Sequence, residues 1–321
     1  MNKNSKKYIA GHRGLVGGAI TRCLQSAGYT NLITRTHDEL DLLNQQAVNN
    51  FFEKERPEYV FLAAAKVGGI GANSAYPADF IYQNTMIGFN VIHAAYKNGV
   101  KKLINLGSSC IYPKLAPQPM KEEYLLSDLL EPTNEAYAVA KISVIKLCTY
   151  YNQQYGTNYL SVMPTNLYGP GDNYDPDGSH VLPALIRKFH EAKVSGSDQV
   201  ILWGDGSPRR EFLFSDDLAG ALVMLMQNNN ASDLSNPAGD FVNIGSGKDL
   251  TIKELAEKIR DIVYEGLPNR TCRIEWDTSK PNGTPQKLLD SSRIAALGFS
   301  PKTELTEGIE LAYRDFICSA Q

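Results

Sequence analysis

The fold is decided by the segment Lys7-Tyr8-Ile9-Ala10-Gly11-His12-Arg13-Gly14-Leu15-Val16-Gly17. Its first four residues have the pattern of a short buried strand, and a helix is predicted over residues 15–27. Three glycines spaced three residues apart lie between them. In such a turn the first glycine makes the tight turn, the second lets the backbone approach a pyrophosphate, and the third lets the helix pack on the sheet. The segment therefore predicts the start of a dinucleotide-binding fold, with the helix N-terminus facing the negative charge.

Short apolar runs alternate with segments of helical length throughout the first half, which is typical of βαβ units. The predicted strands are Lys7–Ala10, Leu32–Thr34, Tyr59–Leu62, Leu103–Leu106 and Tyr159–Met163. The predicted helices lie near residues 15–27, 45–55, 79–98 and 134–155. We therefore predict an α/β fold with a Rossmann-type doubly wound parallel sheet.

The second half becomes rich in loops after Pro164, which predicts a domain boundary near residue 168. Residues 1–167 are expected to bind the cofactor, and residues 168–321 to form mainly a smaller α/β substrate domain. Residues from about 213 to 246 have the pattern of one more α/β unit that rejoins the first sheet. Elsewhere we predict a helix over 180–193, a strand over 200–203, a helix over 251–263 capped by Thr251 and Glu254, and a helix over 303–318.

The composition is that of a globular protein: 321 residues, 43% hydrophobic and 21% charged, with a net charge of −3. Such a charge argues against nucleic acid or an anionic membrane as the main partner. Five widely spaced cysteines form no Cys/His cluster, so we expect no metal site and free thiols in a reducing compartment. No segment reads as a signal peptide, and none approaches the roughly 18 apolar residues of a membrane span. A cytoplasmic location is expected.

The end of the second predicted strand indicates which cofactor is used. It reads Thr34-Arg35-Thr36-His37, with no acid before Asp38. Folds that prefer NAD place an acid here to accept a hydrogen bond from the ribose 2′-hydroxyl. Together with Arg13 in the glycine turn, the missing acid favours a 2′-phosphate, and hence NADP(H). Arg35 and His37 either help to bind that phosphate or are solvated surface side chains.

Two further segments carry hydroxyl and amine groups suited to catalysis. Tyr137 and Lys141 lie four residues apart, so both belong to one face of a helix. We expect the lysine charge to lower the pKa of the tyrosine, which would then donate a proton to a developing alkoxide. This spacing alone is common in helices. However, Ser108 follows a predicted parallel strand, where open α/β sheets bind ligands, and its hydroxyl can bind a substrate carbonyl.

The glycine turn, the strand-end serine and the Tyr-x-x-x-Lys helix, in this order, resemble the extended short-chain dehydrogenase/reductase superfamily. Further segments narrow the resemblance to the GDP-L-fucose synthase family, the GDP-4-keto-6-deoxy-D-mannose epimerase/reductases. These segments are His12-Arg13-Gly14, Ala63-Ala64-Ala65-Lys66-Val67-Gly68-Gly69-Ile70, Tyr76-Pro77-Ala78-Asp79-Phe80-Ile81, Ser108-Ser109-Cys110-Ile111-Tyr112-Pro113, Pro164-Thr165-Asn166-Leu167-Tyr168-Gly169-Pro170 and Arg210-Glu211-Phe212-Leu213. The resemblance extends from Lys7 to about Phe316.

The resemblance implies 3,5-epimerisation of GDP-4-keto-6-deoxy-D-mannose, followed by NADPH-dependent reduction at C4 to GDP-L-fucose. It implies that Ser108, Tyr137 and Lys141 form the reductase triad, and that Cys110 and His180 are the acid/base pair of epimerisation. The chemistry agrees, because a 4-keto group acidifies the C3 and C5 protons and a thiolate can remove them. Without the resemblance, Cys110 would be read as a small buried hydrophobe and His180 as an ordinary residue at the start of a helix.

The resemblance also implies binding residues and a homodimer through helices 79–98 and 134–155. The implied cofactor contacts are Gly11, His12, Arg13, Gly14, Leu15, Val16, Gly17, His37, Asp38, Leu106, Gly107, Ser109, Lys141, Pro164, Thr165, Asn166, Leu167 and His180. The implied GDP-sugar contacts are Lys188, Trp203, Arg210 and Asp277, with Asn166 beside them. Lys188 and His37 stand where the family carries arginine. The diphosphate grip at Lys188 is therefore expected to be weaker or shared with Arg187, and His37 leaves the strength of the NADP preference open.

Three other functions compete with the epimerase/reductase interpretation. A 4,6-dehydratase of this superfamily carries an Asp-Glu pair where this chain has Cys110-Ile111, which argues against elimination. Another nucleotide-sugar 4-epimerase or 4-reductase remains the main alternative, and a 4-epimerase would retain tightly bound NAD. A non-catalytic dinucleotide-binding regulator commonly lacks the tyrosine or the lysine of the triad, whereas both are present here.

Overall fold

The computed structural model describes residues 1–176, 178–267, 272–280 and 282–319, which form thirteen strands and ten α-helices. The strands are β1 (Lys7–Ala10), β2 (Leu32–Ile33), β3 (Tyr59–Leu62), β4 (Lys102–Leu106), β5 (Tyr159–Pro164), β6 (Asn166–Tyr168), β7 (Gln199–Trp203), β8 (Arg209–Phe214), β9 (Ser235–Asn236), β10 (Gly239–Ile244), β11 (Asp249–Thr251), β12 (Arg273–Asp277) and β13 (Gln286–Lys287). The helices are α1 (Leu15–Ser26), α2 (Gln45–Glu55), α3 (Ile70–Ala75), α4 (Pro77–Lys97), α5 (Glu135–Tyr155), α6 (Val181–Ser195), α7 (Ser215–Asn228), α8 (Ile252–Val263), α9 (Ser292–Ala296) and α10 (Leu305–Ser319).

The largest sheet has seven strands in the order β2-β1-β3-β4-β5-β10-β9. All neighbouring pairs are parallel except the β9–β10 pair at one edge. The chain moves from β1 outward to β2 and then returns to β3 on the other side of β1. The crevice at the carboxyl ends of β1 and β3 is therefore the switch point at which doubly wound sheets bind ligands. The predicted fold class is confirmed.

Helices cover both faces of this sheet, as buried parallel strands require. One apolar cluster joins α1 and α7 to the sheet, and a second joins α2, α4 and α5 to the opposite face. Helices α4 and α5 approach closely at Gly88, where an added Cβ would overlap Val144. A single continuous core layer on each face thus holds the strand ends in fixed positions.

The C-terminal part is built from short strands that are distant in sequence. Strand β8 pairs with β11, β13 and β6, while β7 pairs with β12. Helices α6, α8 and α10 pack over these strands around a separate apolar cluster. Thr251 caps α8 by accepting from the Glu254 N–H at 3.1 Å, and the Glu254 carboxylate accepts from the Thr251 N–H at 2.8 Å.

Strand β10 lies far along the chain yet pairs with β5 inside the large sheet, from Phe241 beside Ser161 to Ile244 beside Pro164. Helix α7, just before it, packs on the same sheet through α1. The large sheet therefore takes strands from both sides of residue 168. Within the described residues, no helix is both long enough and apolar enough to span a membrane.

Candidate active site

The glycine turn follows β1 and is shaped by two close backbone approaches. Gly11 has φ of +85°, in the left-handed region, and an added Cβ there would lie 2.8 Å from the Ala64 nitrogen. At Gly17 an added Cβ would lie 2.0 Å from the Gly11 carbonyl oxygen. At Gly14 no heavy atom comes closer than 3.5 Å. Gly11 and Gly17 are thus required by the turn itself, while the space at Gly14 is open to a ligand.

The residues of this turn fit a dinucleotide pyrophosphate. Gly14 is the N-cap of α1, and no described side chain caps the helix, so its first N–H groups are available to an anion. The Nδ1 atom of His12 is buried without a hydrogen-bond partner among the described residues. Arg13 is exposed and makes no hydrogen bond or ion pair within the described chain. These are the features that a bound diphosphate and a 2′-phosphate would satisfy.

Arg35, just after β2, is engaged inside the protein. Its guanidinium donates to the Glu55 carboxylate at 2.6 Å and lies 5.5 Å from the centre of the Phe51 ring. His37 and Asp38 are exposed in the turn after β2.

Strand β4 ends at Leu106, and the next residues turn sharply toward α5. The Gly107 N–H donates to the Val162 carbonyl at 2.8 Å, and an added Cβ at Gly107 would overlap Met163. Ser108 then begins a 3-10 turn over Ser109–Ile111, with its hydroxyl accepting from the Cys110 N–H at 3.4 Å. The turn thereby presents the serine hydroxyl and the thiol at the carboxyl edge of the sheet.

Tyr137 and Lys141 lie on the first turns of α5, beside this 3-10 turn. The Lys141 ammonium donates to the Leu106 carbonyl at 2.9 Å and lies 5.6 Å from the centre of the Tyr137 ring. Burial lowers the pKa of Lys141 to about 8, with Cys110 opposing the fall. The expected fall in the pKa of Tyr137 is wrong for this structure: burial raises it, the neighbouring thiol adds to the rise, and only Ser108 opposes it.

Cys110 is nearly buried, with 8% of its surface exposed. Burial raises the pKa of its thiol, and the Ser108 hydroxyl, Lys287 and Lys141 oppose that rise. Ser108, Cys110, Tyr137 and Lys141 therefore form one interacting group.

A contact chain that the sequence analysis did not identify holds Tyr137 in place. The Phe80 ring meets the Tyr137 ring edge to face at 6.1 Å, and the Lys66 ammonium lies 5.6 Å from the centre of the Phe80 ring. Asn84, 3% exposed, accepts from the Lys66 N–H and donates to the Lys66 carbonyl, both at 3.0 Å. Lys66, Asp79 and Phe80 all belong to the quoted family segments, which was the signal available in the sequence.

His180 is the N-cap residue of α6. The Ser179 carbonyl lies 3.5 Å from the position of an added Cβ at Gly69, so the loop after β3 contacts the loop that holds His180. Burial lowers the pKa of the His180 imidazole. No hydrogen bond joins His180 to the group around Cys110 within the described residues.

The segment from Pro164 to Leu167 connects the end of β5 with β6. The Thr165 N–H donates to the Ile244 carbonyl at 3.0 Å. The Thr165 hydroxyl and the Asn166 amide both donate to the Glu211 carbonyl, at 3.2 and 2.8 Å. The buried Glu211 carboxylate accepts from the Gly247 N–H at 2.7 Å and the Leu289 N–H at 3.0 Å. Glu211 therefore joins the large sheet to the C-terminal sheet beside the cleft.

The predicted substrate residues fall into two groups. Lys188 donates to the Ile201 carbonyl at 3.0 Å, Trp203 is 66% exposed on the same strand, and Trp203 pairs with Asp277 in the β7–β12 register. One Asp277 carboxylate oxygen already accepts from the Ser279 N–H and hydroxyl.

Arg210 forms the second group, on β8. Its guanidinium donates to the Arg209 carbonyl at 2.8 Å and lies 3.5 Å from the position of an added Cβ at Gly283. Lys287, which the sequence analysis missed, stands opposite Arg210 in the β8–β13 register. It lies on a two-residue strand, too short for a periodic pattern to reveal.

The sequence matches the NAD dependent epimerase/dehydratase family over residues 8–245, more than half of the chain. The chain belongs to this family. Within it, the chain is 56% identical over 313 residues to GDP-L-fucose synthase 1 of Arabidopsis thaliana, covering 97% of this chain and 93% of that protein. It is 54% identical over 313 residues to GDP-L-fucose synthase of Escherichia coli strain K12, covering 97% and 96%.

A solved structure agrees with this family membership. A GDP-mannoheptose C4 reductase from Campylobacter jejuni with NADP bound aligns at a TM-score of 0.90 and 43% identity, covering 99% of each chain. The predicted resemblance to the GDP-L-fucose synthases is confirmed by these relatives.

Proposed function

We propose that the protein converts GDP-4-keto-6-deoxy-D-mannose to GDP-L-fucose, by 3,5-epimerisation and then by NADPH-dependent reduction at C4. The main support is that a Ser–Tyr–Lys triad and the Cys110 thiol form one interacting group. Reduction needs only the triad, whereas inversion at carbon needs a further group that titrates. The full-length relatives named GDP-L-fucose synthase support the same activity.

NADP(H) is the cofactor, and when bound it supplies the hydride for C4. The uncapped N-terminus of α1, the open space at Gly14 and the buried His12 nitrogen fit its pyrophosphate. Arg13 and His37 are the basic groups that would bind the 2′-phosphate. The strand-end residues from Leu106 to Ser109 and from Pro164 to Leu167 would line the nicotinamide side.

In the reductive step, the Ser108 and Tyr137 hydroxyls hold the C4 oxygen, and Tyr137 donates its proton to that oxygen. A raised pKa keeps Tyr137 protonated until charge develops on the oxygen. Lys141, fixed on the Leu106 carbonyl, lies beside the tyrosine ring and stabilises the phenolate that remains.

In the epimerising step, the Cys110 thiolate removes the proton at C3 or C5, and the electron pair moves into an enolate at C4. Ser108 and Tyr137 hold that enolate oxygen. His180 returns a proton to the opposite face, which inverts the carbon. His180 lies at the N-cap of α6, and the loop before it contacts the loop after β3 at Gly69.

We assign the substrate to the C-terminal part, residues 168–321, and the cofactor to residues 1–167 together with about 213–246. Arg210 would bind the diphosphate, Lys188 would add a point charge, and Trp203 and Asp277 would lie at the guanosine end.

We further propose a homodimer through α4 and α5 and a cytoplasmic location. Exposed apolar side chains on both helices, including Tyr82, Phe89, Val139 and Tyr150, support the dimer. All five cysteines are free thiols, which supports a reducing compartment. A monomer mass in sedimentation at working concentration would contradict the dimer.

The proposed reaction is tested by incubation with GDP-4-keto-6-deoxy-D-mannose and NADPH in deuterated water. The expected product is GDP-L-fucose with deuterium at C3 and C5, read by NMR and mass spectrometry. A reduced product without deuterium at these carbons would indicate a C4 reductase alone. Turnover without net NADPH consumption would indicate a 4-epimerase.

A further inference from the structure

A small cavity of about 10 Å³ lies beside Cys110. Its wall includes Cys110 from the 3-10 turn, Lys287 from β13, and Glu131 from the loop before α5. The volume is about that needed to hold one water molecule. A thiol and an ammonium thus face the same confined space.

The backbone on both sides of Lys287 is held firmly. The Leu288 N–H donates to the Gln118 side chain at 2.8 Å, and the Leu289 N–H donates to Glu211 at 3.0 Å. The Arg209 N–H donates to the Pro285 carbonyl at 2.8 Å just before β13. Three backbone hydrogen bonds therefore hold the segment that carries Lys287 beside the cavity.

The ammonium of Lys287 makes no hydrogen bond or ion pair with any described residue. Glu131, the carboxylate nearest in the cavity wall, pairs instead with Lys114 at 3.2 Å. Lys141 is bound to the Leu106 carbonyl. Burial lowers the pKa of the Lys287 ammonium and a negative charge on Cys110 raises it, so the charged lysine and a thiolate in this space stabilise each other.

The charged and titratable groups around Cys110 come from three sides. Tyr137 and Lys141 face it from α5, and Lys287 faces it from β13 with Arg210 behind on β8. Burial raises the pKa of Cys110, the Ser108 hydroxyl opposes that rise first, and Lys287 opposes it more than Lys141 does. Lys287 shares the cavity wall with Cys110, whereas Lys141 is not part of that wall, so Lys287 is the lysine placed to face a thiolate in this space.

We propose that Lys287 is the positioning residue that stabilises the Cys110 thiolate for epimerisation, an inference that rests on the proposed function. The thiol proton leaves to solvent, and the thiolate forms beside the Lys287 ammonium. When the thiolate takes a sugar C–H proton, the C–H electron pair enters the enolate and the thiol is restored. Lys287 thus acts through Cys110 and takes no part in hydride transfer.

The test compares Lys287→Met with Lys287→Arg, and uses Lys248→Met as a control that removes an exposed charge elsewhere. The thiolate is measured by its ultraviolet absorbance over a pH range, as the difference between each variant and the same variant carrying Cys110→Ser. One nearby charge shifts a pKa by about 1 to 3 units, so Lys287→Met is expected to move the midpoint at least about one unit higher. Lys287→Arg and Lys248→Met are expected to keep it near the wild-type value.

Two results would overturn the proposal: an unchanged midpoint in Lys287→Met, or an equal shift in Lys287→Arg, which keeps the charge. Solvent deuterium uptake at C3 and C5 without NADPH supplies the kinetic readout. It should fall by about tenfold for each unit of midpoint shift at neutral pH, with little change in KM. A raised KM with an unchanged midpoint would instead make Lys287 a substrate-binding cation.

The absorbance titration uses no substrate, so it is independent of the proposed function. A shifted midpoint in a protein that forms no GDP-L-fucose would contradict the proposed function alone. A normal product with an unchanged midpoint would contradict only the role of Lys287.

Discussion

The cofactor side and the substrate side of the cleft are built in different ways. On the cofactor side, backbone groups form the turn, and Gly17 approaches Gly11 so closely that no side chain fits. On the proposed substrate side, the binding groups are side chains such as that of Arg210, carried by paired short strands. A site made of backbone is intolerant of substitution, whereas a site made of side chains can change specificity one residue at a time.

The largest expected effect distinguishes the role of Tyr137 from that of Cys110, which lie where the two regions meet. Tyr137→Phe removes the proton donor for C4 and should lower reduction by about 10²- to 10⁴-fold. Deuterium uptake at C3 and C5 should fall less, because Ser108 still holds the enolate oxygen. Cys110→Ser should do the reverse, because a serine hydroxyl is far harder to ionise than a thiol. Single-turnover NADPH oxidation and NMR of the sugar measure the two activities. Equal loss of both activities in both variants would contradict the division of roles.

The next prediction tests the intolerance of the cofactor turn. Gly17→Ala places a Cβ 2.0 Å from the Gly11 oxygen and should lower the free energy of unfolding by about 1 to 3 kcal/mol. Gly14→Ala, with nothing closer than 3.5 Å, is the matched control and should cost less than about 1 kcal/mol.

Denaturant unfolding and NADPH titration measure these two variants. Because Gly14 borders the open space, Gly14→Ala should weaken NADPH binding although the fold is intact. Equal stability of the two variants would show that the close approach at Gly17 is not a constraint.

The rate of epimerisation is expected to be constant over a range of pH and to fall on both sides of that range. Burial raises the pKa of Cys110 and lowers that of His180, so thiol and neutral imidazole predominate between them. The active pair, thiolate with imidazolium, is then a small and constant fraction across this interval. The rate falls about tenfold per pH unit below the His180 pKa, and likewise above the Cys110 pKa. A profile of kcat/KM for inversion that rises steadily through neutral pH would exclude His180 as the acid.

The smallest expected effect concerns the 2′-phosphate. His37→Arg should raise the preference for NADPH over NADH by up to about fivefold, because an exposed ion pair contributes up to about 1 kcal/mol. Gln153→Arg adds the same charge near the end of α5 and should change nothing. The ratio of kcat/KM for the two cofactors measures the effect. An unchanged ratio in His37→Arg would indicate that Arg13, and not position 37, binds the 2′-phosphate.

The sequence was sufficient for the features that depend on local pattern. The glycine turn, the strand-end position of Ser108 and the cap at Thr251 each follow from residues that are close along the chain. Features that depend on contacts between residues distant in sequence could not be predicted. Arg35 pairs with Glu55, and Lys287 reaches Cys110 only through the pairing of β13 with β8. The pKa of Tyr137 follows from burial, which a spacing of four residues does not reveal.

The late position of β10 has a consequence for how the protein is made. During synthesis, β5 emerges long before its neighbour β10, and α1 lacks the cover of α7 until about 60 further residues have left the ribosome. For that interval the nascent sheet has an unpaired edge and an uncovered apolar face, both of which favour aggregation. Chaperone dependence should therefore be highest for ribosome-bound chains that end between β5 and β10.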